Sequence, residues 1–360
     1  MRRLILLMVN LVLGLLCALP TLAVHHPVNH PIRSVVQATP TQTPVPATNL
    51  LTVRISPIVD FYFLLRLQAD AKSTTAPPDE DFAAAISAVR HLDEVFGSNS
   101  DVWGILNVSL NDCQTASDVT AAFSRLPESL RAGTIPLREG AMKLANAMST
   151  LEPLFLKTTW PRHKKLLDQR MKEIKRDLEP KSEQSLSFLT KHLRFDVPLP
   201  QLTFYLVGEL PEPGAISYFL RNGSRLSVVS VRNKGNWLFA AILYEAAHTL
   251  FRLDRKRLIL EDVRDRMQKV QASDSEIQDL VLALLFVHSV ETVQRIIDNS
   301  KEKFGDLAAL DARFPLASTI IVPLWSEYLD GKIQYTEALD QIVSRYMQAR
   351  KQSTGPKVSP

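Results

Sequence analysis

The sequence predicts an α+β fold, predominantly helical, in which a small sheet precedes one buried helix. Three observations carry this. Apolar residues recur at helical spacing through most of the chain. A period-two pattern is confined to Leu51–Ile55 and to three short runs between residues 202 and 231. The run 237–250 that follows them is apolar on every side.

The first residues, Met1-Arg2-Arg3 and then an apolar run ending at Pro20-Thr21-Leu22-Ala23, read as a secretory signal over 1–23. That places the mature protein outside the cytoplasm, secreted or periplasmic, with no stable membrane insertion once the signal is cleaved. Residues 24–50 carry five prolines among Thr, Gln, Val and Ala and read as an extended linker. Cys113 is the one cysteine left after the signal, so an internal disulfide is excluded.

An N-terminal helical region, 51–195, opens with the strand Leu51–Ile55 and an apolar helix started by Pro57. Amphipathic helices are expected at 79–96, 101–110, 116–126 and 137–156. The charged stretch 160–194 reads as a long surface helix broken at Pro180, with His163 and His192 in no ligand spacing. Asn107-Val108-Ser109 and Asn222-Gly223-Ser224 match the glycosylation acceptor pattern.

The second region, 196–350, begins with strands at 202–207, 216–220 and 225–231 and then the buried helix. Helices follow at 258–270, 274–297, 316–329 and 335–348, and a polar tail at 351–360. The net charge is +4 over 360 residues, with basic and acidic positions interspersed, which gives no footprint for nucleic acid. No G-x-S-x-G elbow, phosphate loop or dinucleotide fingerprint is present.

The buried helix carries the chemistry. Glu245 and His248 sit in its middle, where an unpartnered carboxylate or imidazole costs several kcal/mol, so each needs a partner, a metal or a shifted pKa. Positions 244 and 248 are one turn apart on one face, the spacing by which H-E-x-x-H sets two imidazoles on a zinc ion. This chain has Tyr244-Glu245-Ala246-Ala247-His248. A second polar pair, His288 and Glu291, lies inside the apolar helix at 274–297.

The pattern resembles the zincin metallopeptidases, in their gluzincin branch, with the first metal ligand replaced. The resemblance covers roughly residues 200–300 and implies a zincin-like domain with its edge strand along the substrate cleft. It implies that Glu245 is the catalytic base, that His248 and Glu291 are zinc ligands, and that Tyr244 or His288 fills the vacant ligand position. A phenol with pKa about 10 is a poor zinc donor, so zinc is expected to be held weakly or lost. The leading expectation is an impaired metallopeptidase retained as a binding or regulatory protein, with a peptide or protein in its cleft. Two alternatives stand beside it. One is an active zinc hydrolase; the other is a helical protein in which the four polar residues form a buried network, or Glu245 pairs with a cation such as Arg252.

Overall fold

The computed structural model describes residues 50–70, 80–97, 100–132, 135–211, 214–220, 224–298 and 314–354. The signal, positions 24–49 of the linker, positions 355–360 of the tail and Asn222 lie outside the described residues. All described residues fall in one compact unit, 47–360. The fold is α+β and predominantly helical.

Its centre is a mixed four-stranded sheet in which β1 (Leu51–Ile55), β4 (Leu202–Val207) and β6 (Arg225–Ser230) run parallel. The antiparallel strand β5 (Ala215–Phe219) forms one edge, giving the order β1-β4-β6-β5. A separate two-residue hairpin, β2 (Arg131–Ala132) with β3 (Ile135–Pro136), lies between them in sequence. Leu51 faces Leu202 across the β1/β4 ladder, so the N-terminal helical region and the region after residue 195 share one sheet.

Alternation along the strands sends side chains to both faces, and helices cover both. On one face Leu51, Val53, Phe204, Leu206 and Val229 pack against α8 (Asn236–Leu253) and α10 (Asp274–Thr292). On the other, Tyr205, Val207, Leu226 and Val228 pack against α1 (Pro57–Ala69), α2 (Ala83–Phe96), α3 (Ser100–Val108), α4 (Ala116–Ser124) and α5 (Leu137–Thr158). The central strands β4 and β6 are therefore covered on both faces, whereas Arg54 of β1 and Ile216 of the edge strand β5 are exposed. Asn107 on α3 is fully buried, which removes Asn107-Val108-Ser109 as a surface acceptor.

Local chemistry sets the helix starts. Ser56 caps α1 by accepting from the Val59 N–H, and Pro57 occupies the first turn, where its missing N–H costs nothing. Ser273 and Glu276 form a reciprocal capping box at the start of α10. Ser273→Ala is expected to lower stability by about 1 kcal/mol, read as a shift of the urea midpoint, because it removes one half of the capping box.

The charged stretch is not one surface helix. It forms α6 (Trp160–Glu173), a π-helical turn (Ile174–Leu178), a 3₁₀ turn (Glu179–Lys181) and α7 (Ser182–His192). Pro180 has no N–H and its ring crowds the carbonyl four residues back, so the helix widens ahead of it and restarts after it. One side of this segment, through His163, Leu167, Arg170, Ile174 and Leu178, is buried. After α9 (Leu258–Lys269) and α10, a π-helical turn (Val293–Asp298) ends the central helix. Two last helices, α11 (Val322–Leu329) and α12 (Tyr335–Thr354), close the unit, α12 running past residue 350.

Candidate functional site

Helix α8 leaves the C-terminal end of β6 and lies along the sheet beside the edge strand β5. Its long apolar run keeps it in the core, and the polar residues go with it. Glu245 is 2% exposed, Tyr244 is 4% exposed and His248 is half-buried. The Tyr244 and His248 rings, one turn apart, lie parallel with centroids 6.3 Å apart. The Tyr244 ring also meets Phe286 of α10 edge-on at 5.2 Å and Phe314 at 6.4 Å. His248 meets Phe219 of β5 at 5.6 Å, and the Arg252 guanidinium lies over the same Phe219 ring at 5.2 Å. The sequence motif thus forms an aromatic row between α8, α10 and β5.

Burial lowers the Arg252 pKa, and the neighbouring Arg257 lowers it further. Burial raises the Tyr218 phenol of β5; Arg66 opposes that shift, and the nearby charge of Glu245 adds to it. Tyr218 is therefore held neutral, as a hydrogen-bond donor.

The second polar pair is turned elsewhere. α10 meets α8 through Phe286, and His288 lies about 200° further round the helix. Its Nδ1 accepts from the Trp325 indole N–H at 3.0 Å, its Nε2 donates to the Phe188 carbonyl at 3.4 Å, and its ring stacks on Phe188 at 5.2 Å. Burial pushes its pKa down to about 3, the neighbouring His192 and Arg295 adding to the shift and the bond to Phe188 opposing it. His288 is a neutral core imidazole with both nitrogens occupied.

Glu291, 5% exposed, accepts from Arg295 Nε at 2.9 Å and from the Ser326 hydroxyl. Arg295 also pairs with Asp330 at 2.8 Å, and these groups border a cavity of about 490 Å³ that Tyr244, Glu245 and His248 do not line. Among the described residues no group of three or more His, Cys, Asp or Glu side chains is gathered as a metal would require. His288 and Glu291 are thus engaged by Trp325, Phe188, Arg295 and Ser326, while Tyr244 and His248 lie together on α8. Helical spacing put 288 and 291 on neighbouring faces but left open which face of an all-apolar helix turns toward α8.

Sequence reasoning missed a different buried pair. Asp60 on α1 and His163 on α6, 1% and 3% exposed, meet with Oδ2 and Nδ1 2.7 Å apart. The other Asp60 oxygen accepts the Gly208 backbone N–H at 2.5 Å, and the Gly208 carbonyl accepts the Ser230 hydroxyl at 3.2 Å. A Cβ at 208 would stand 2.5 Å from His163 Nδ1, so only glycine lets the end of β4 approach the imidazole. This cluster ties α1 and α6 to the C-terminal ends of the central strands. Its signal was present in the chain: Asp60 is a lone carboxylate in an apolar helix, and His163 begins the apolar stripe that continues at Leu167, Arg170 and Ile174.

In comparisons with protein-family models, curated proteins and solved structures, none matches the chain.

Proposed function

We propose that the chain is an exported zincin-like protein that has lost catalysis and acts as a binding or regulatory protein, with an extended peptide or protein segment held beside the edge strand β5. Tyr244 carries this reading. It stands where the first zinc-binding imidazole of an H-E-x-x-H helix belongs, and its phenol ring is packed in an aromatic row against His248, Phe286 and Phe314. A mixed sheet with an antiparallel edge strand, followed at once by the motif-bearing helix, is the order the resemblance implies.

The donor set does not fit a zinc ion. A neutral phenol is a poor zinc donor, His248 is a single imidazole, and both His288 and Glu291 are engaged by other partners. That argues against the alternative of a working hydrolase in which Glu245 activates a metal-bound water. The residues favour a retained scaffold over a retained reaction.

The test is Tyr244→His, with zinc affinity measured by competition against a chelator and folding followed by melting temperature. Wild-type protein is expected to carry no stoichiometric zinc. The variant, with imidazoles at 244 and 248 on one helix face, should bind zinc at least about tenfold more tightly than wild type, yet far more weakly than a three-ligand site. A folded variant with unchanged zinc affinity would remove the inherited-pocket reading and leave a helical protein whose polar residues serve packing.

A further inference from the structure

On the face of the sheet opposite α8, a cavity of about 550 Å³ opens between α1, the last turns of α2 and strand β5. Its apolar wall comes from Phe63, Leu67, Leu210, Pro211 and Ile216. The Arg66 guanidinium also lines it, lying 4.0 Å from the Trp103 ring centroid and donating to Asn107 Oδ1 at 3.4 Å and Tyr218 Oη at 3.5 Å. Both bonds are long for a guanidinium, and both acceptors are neutral.

The groups behind Arg66 are rich in donors. The Asn107 side-chain amide nitrogen and the Tyr62 hydroxyl are fully buried and meet no partner at good hydrogen-bond geometry, although Tyr62 lies close to Arg66 and Asn107 close to Tyr218. Burial keeps the Tyr62 and Tyr218 phenols protonated, so both remain donors at neutral pH. Of these groups the Arg66 guanidinium and the Tyr218 phenol line the cavity and offer N–H and O–H donors to an occupant. Buried donors of this kind call for an acceptor-rich partner. A carboxylate fits that demand, since its two oxygens take several donors and it matches the planar guanidinium.

Charge at the mouth has the opposite sign. Asp93 and Glu94, on the last turn of α2, line the cavity at its exposed side; Arg90, also there, donates to the Ala69 carbonyl at the end of α1. Arg66 and the carboxylates of Asp70, Asp93 and Glu94 thus share one cavity, with an apolar wall beside them.

We propose that this cavity binds an apolar zwitterion of the amino-acid class, its carboxylate on Arg66 and Tyr218, its ammonium toward Asp93 and Glu94, and its side chain against Phe63, Leu67 and Ile216. A free amino acid and a dipeptide share this chemistry. The site is on the far side of the sheet from Tyr244 and His248, and although the Glu245 charge reaches Tyr218, its test does not depend on the zincin reading.

The experiment is calorimetric titration of the full chain with L-leucine, L-leucyl-L-leucine, L-leucinamide and N-acetyl-L-leucine. Leucine or the dipeptide should bind saturably; the tighter of the two names the source. Leucinamide, which lacks the carboxylate, should bind at least about tenfold more weakly than leucine, and N-acetyl-leucine, which lacks the ammonium, should also be weaker. Tyr218→Phe removes one donor and keeps the ring, and should weaken binding about five- to tenfold with an unchanged circular dichroism spectrum. Arg66→Gln should abolish binding, its fold checked the same way. No heat from either zwitterion at millimolar concentration, or equal affinity for leucine and leucinamide, would overturn the proposal.

Discussion

Asp60→Ala is expected to destabilise the folded unit by about 3–5 kcal/mol, seen as a large fall in the urea midpoint with little change in its slope. Both carboxylate oxygens are in use, one on the His163 imidazole and one on the Gly208 N–H, and neither partner can reach water. Truncation leaves a buried imidazole and a buried amide without acceptors, which costs more than losing two exposed hydrogen bonds. Asp60→Asn keeps an oxygen for Gly208 and should lose less. A change below about 1 kcal/mol in Asp60→Ala would mean that the pair does not tie α1 and α6 to the sheet.

Stability is also expected to fall steeply in mild acid because of His288. Its folded pKa, about 3, lies below the value of about 6.5 for an exposed imidazole. Above pH 6.5 neither the folded nor the unfolded chain protonates it, and its contribution is fully present. As pH drops from about 6.5 toward 3, the unfolded chain takes up a proton that the folded chain excludes, so stability is lost at about 1.4 kcal/mol per pH unit. Between pH 6 and pH 4 this amounts to about 3 kcal/mol, measurable as a shift of the denaturation midpoint. His288→Gln keeps a polar group facing the Trp325 N–H and should flatten the pH dependence by nearly one proton. An unchanged slope in that variant would assign the acid sensitivity to other groups.

Much of the fold was legible because local and global signals agree. Pro57 announces α1, the apolar run at 274–297 announces α10, and alternation identifies all four strands of the main sheet. The pairing of β1 with β4 was not legible, since Leu51 and Leu202 are far apart in sequence and nothing local names a parallel partner. The helix carrying Tyr244, Glu245 and His248 was placed correctly as buried, because a run apolar on every side has nowhere else to go. The same property obscured α10: with apolar residues all round, spacing could not say that Phe286 would turn to α8 while His288 turned to Trp325. His163 was missed for a further reason. The many lysines around it suggested a solvated face, yet those lysines surround a stripe that faces inward.

The parallel contact between β1 and β4 also constrains how the chain acquires its structure. A polypeptide emerging from its N-terminus makes residues 51–55 early, but the strand that neighbours them arrives only at Leu202. Until then this hydrophobic segment has an unsatisfied edge, and closing so long an intervening loop makes the search slow. Maturation should therefore depend on synthesis reaching the middle of the chain, and a product truncated before Leu202 should be prone to aggregate.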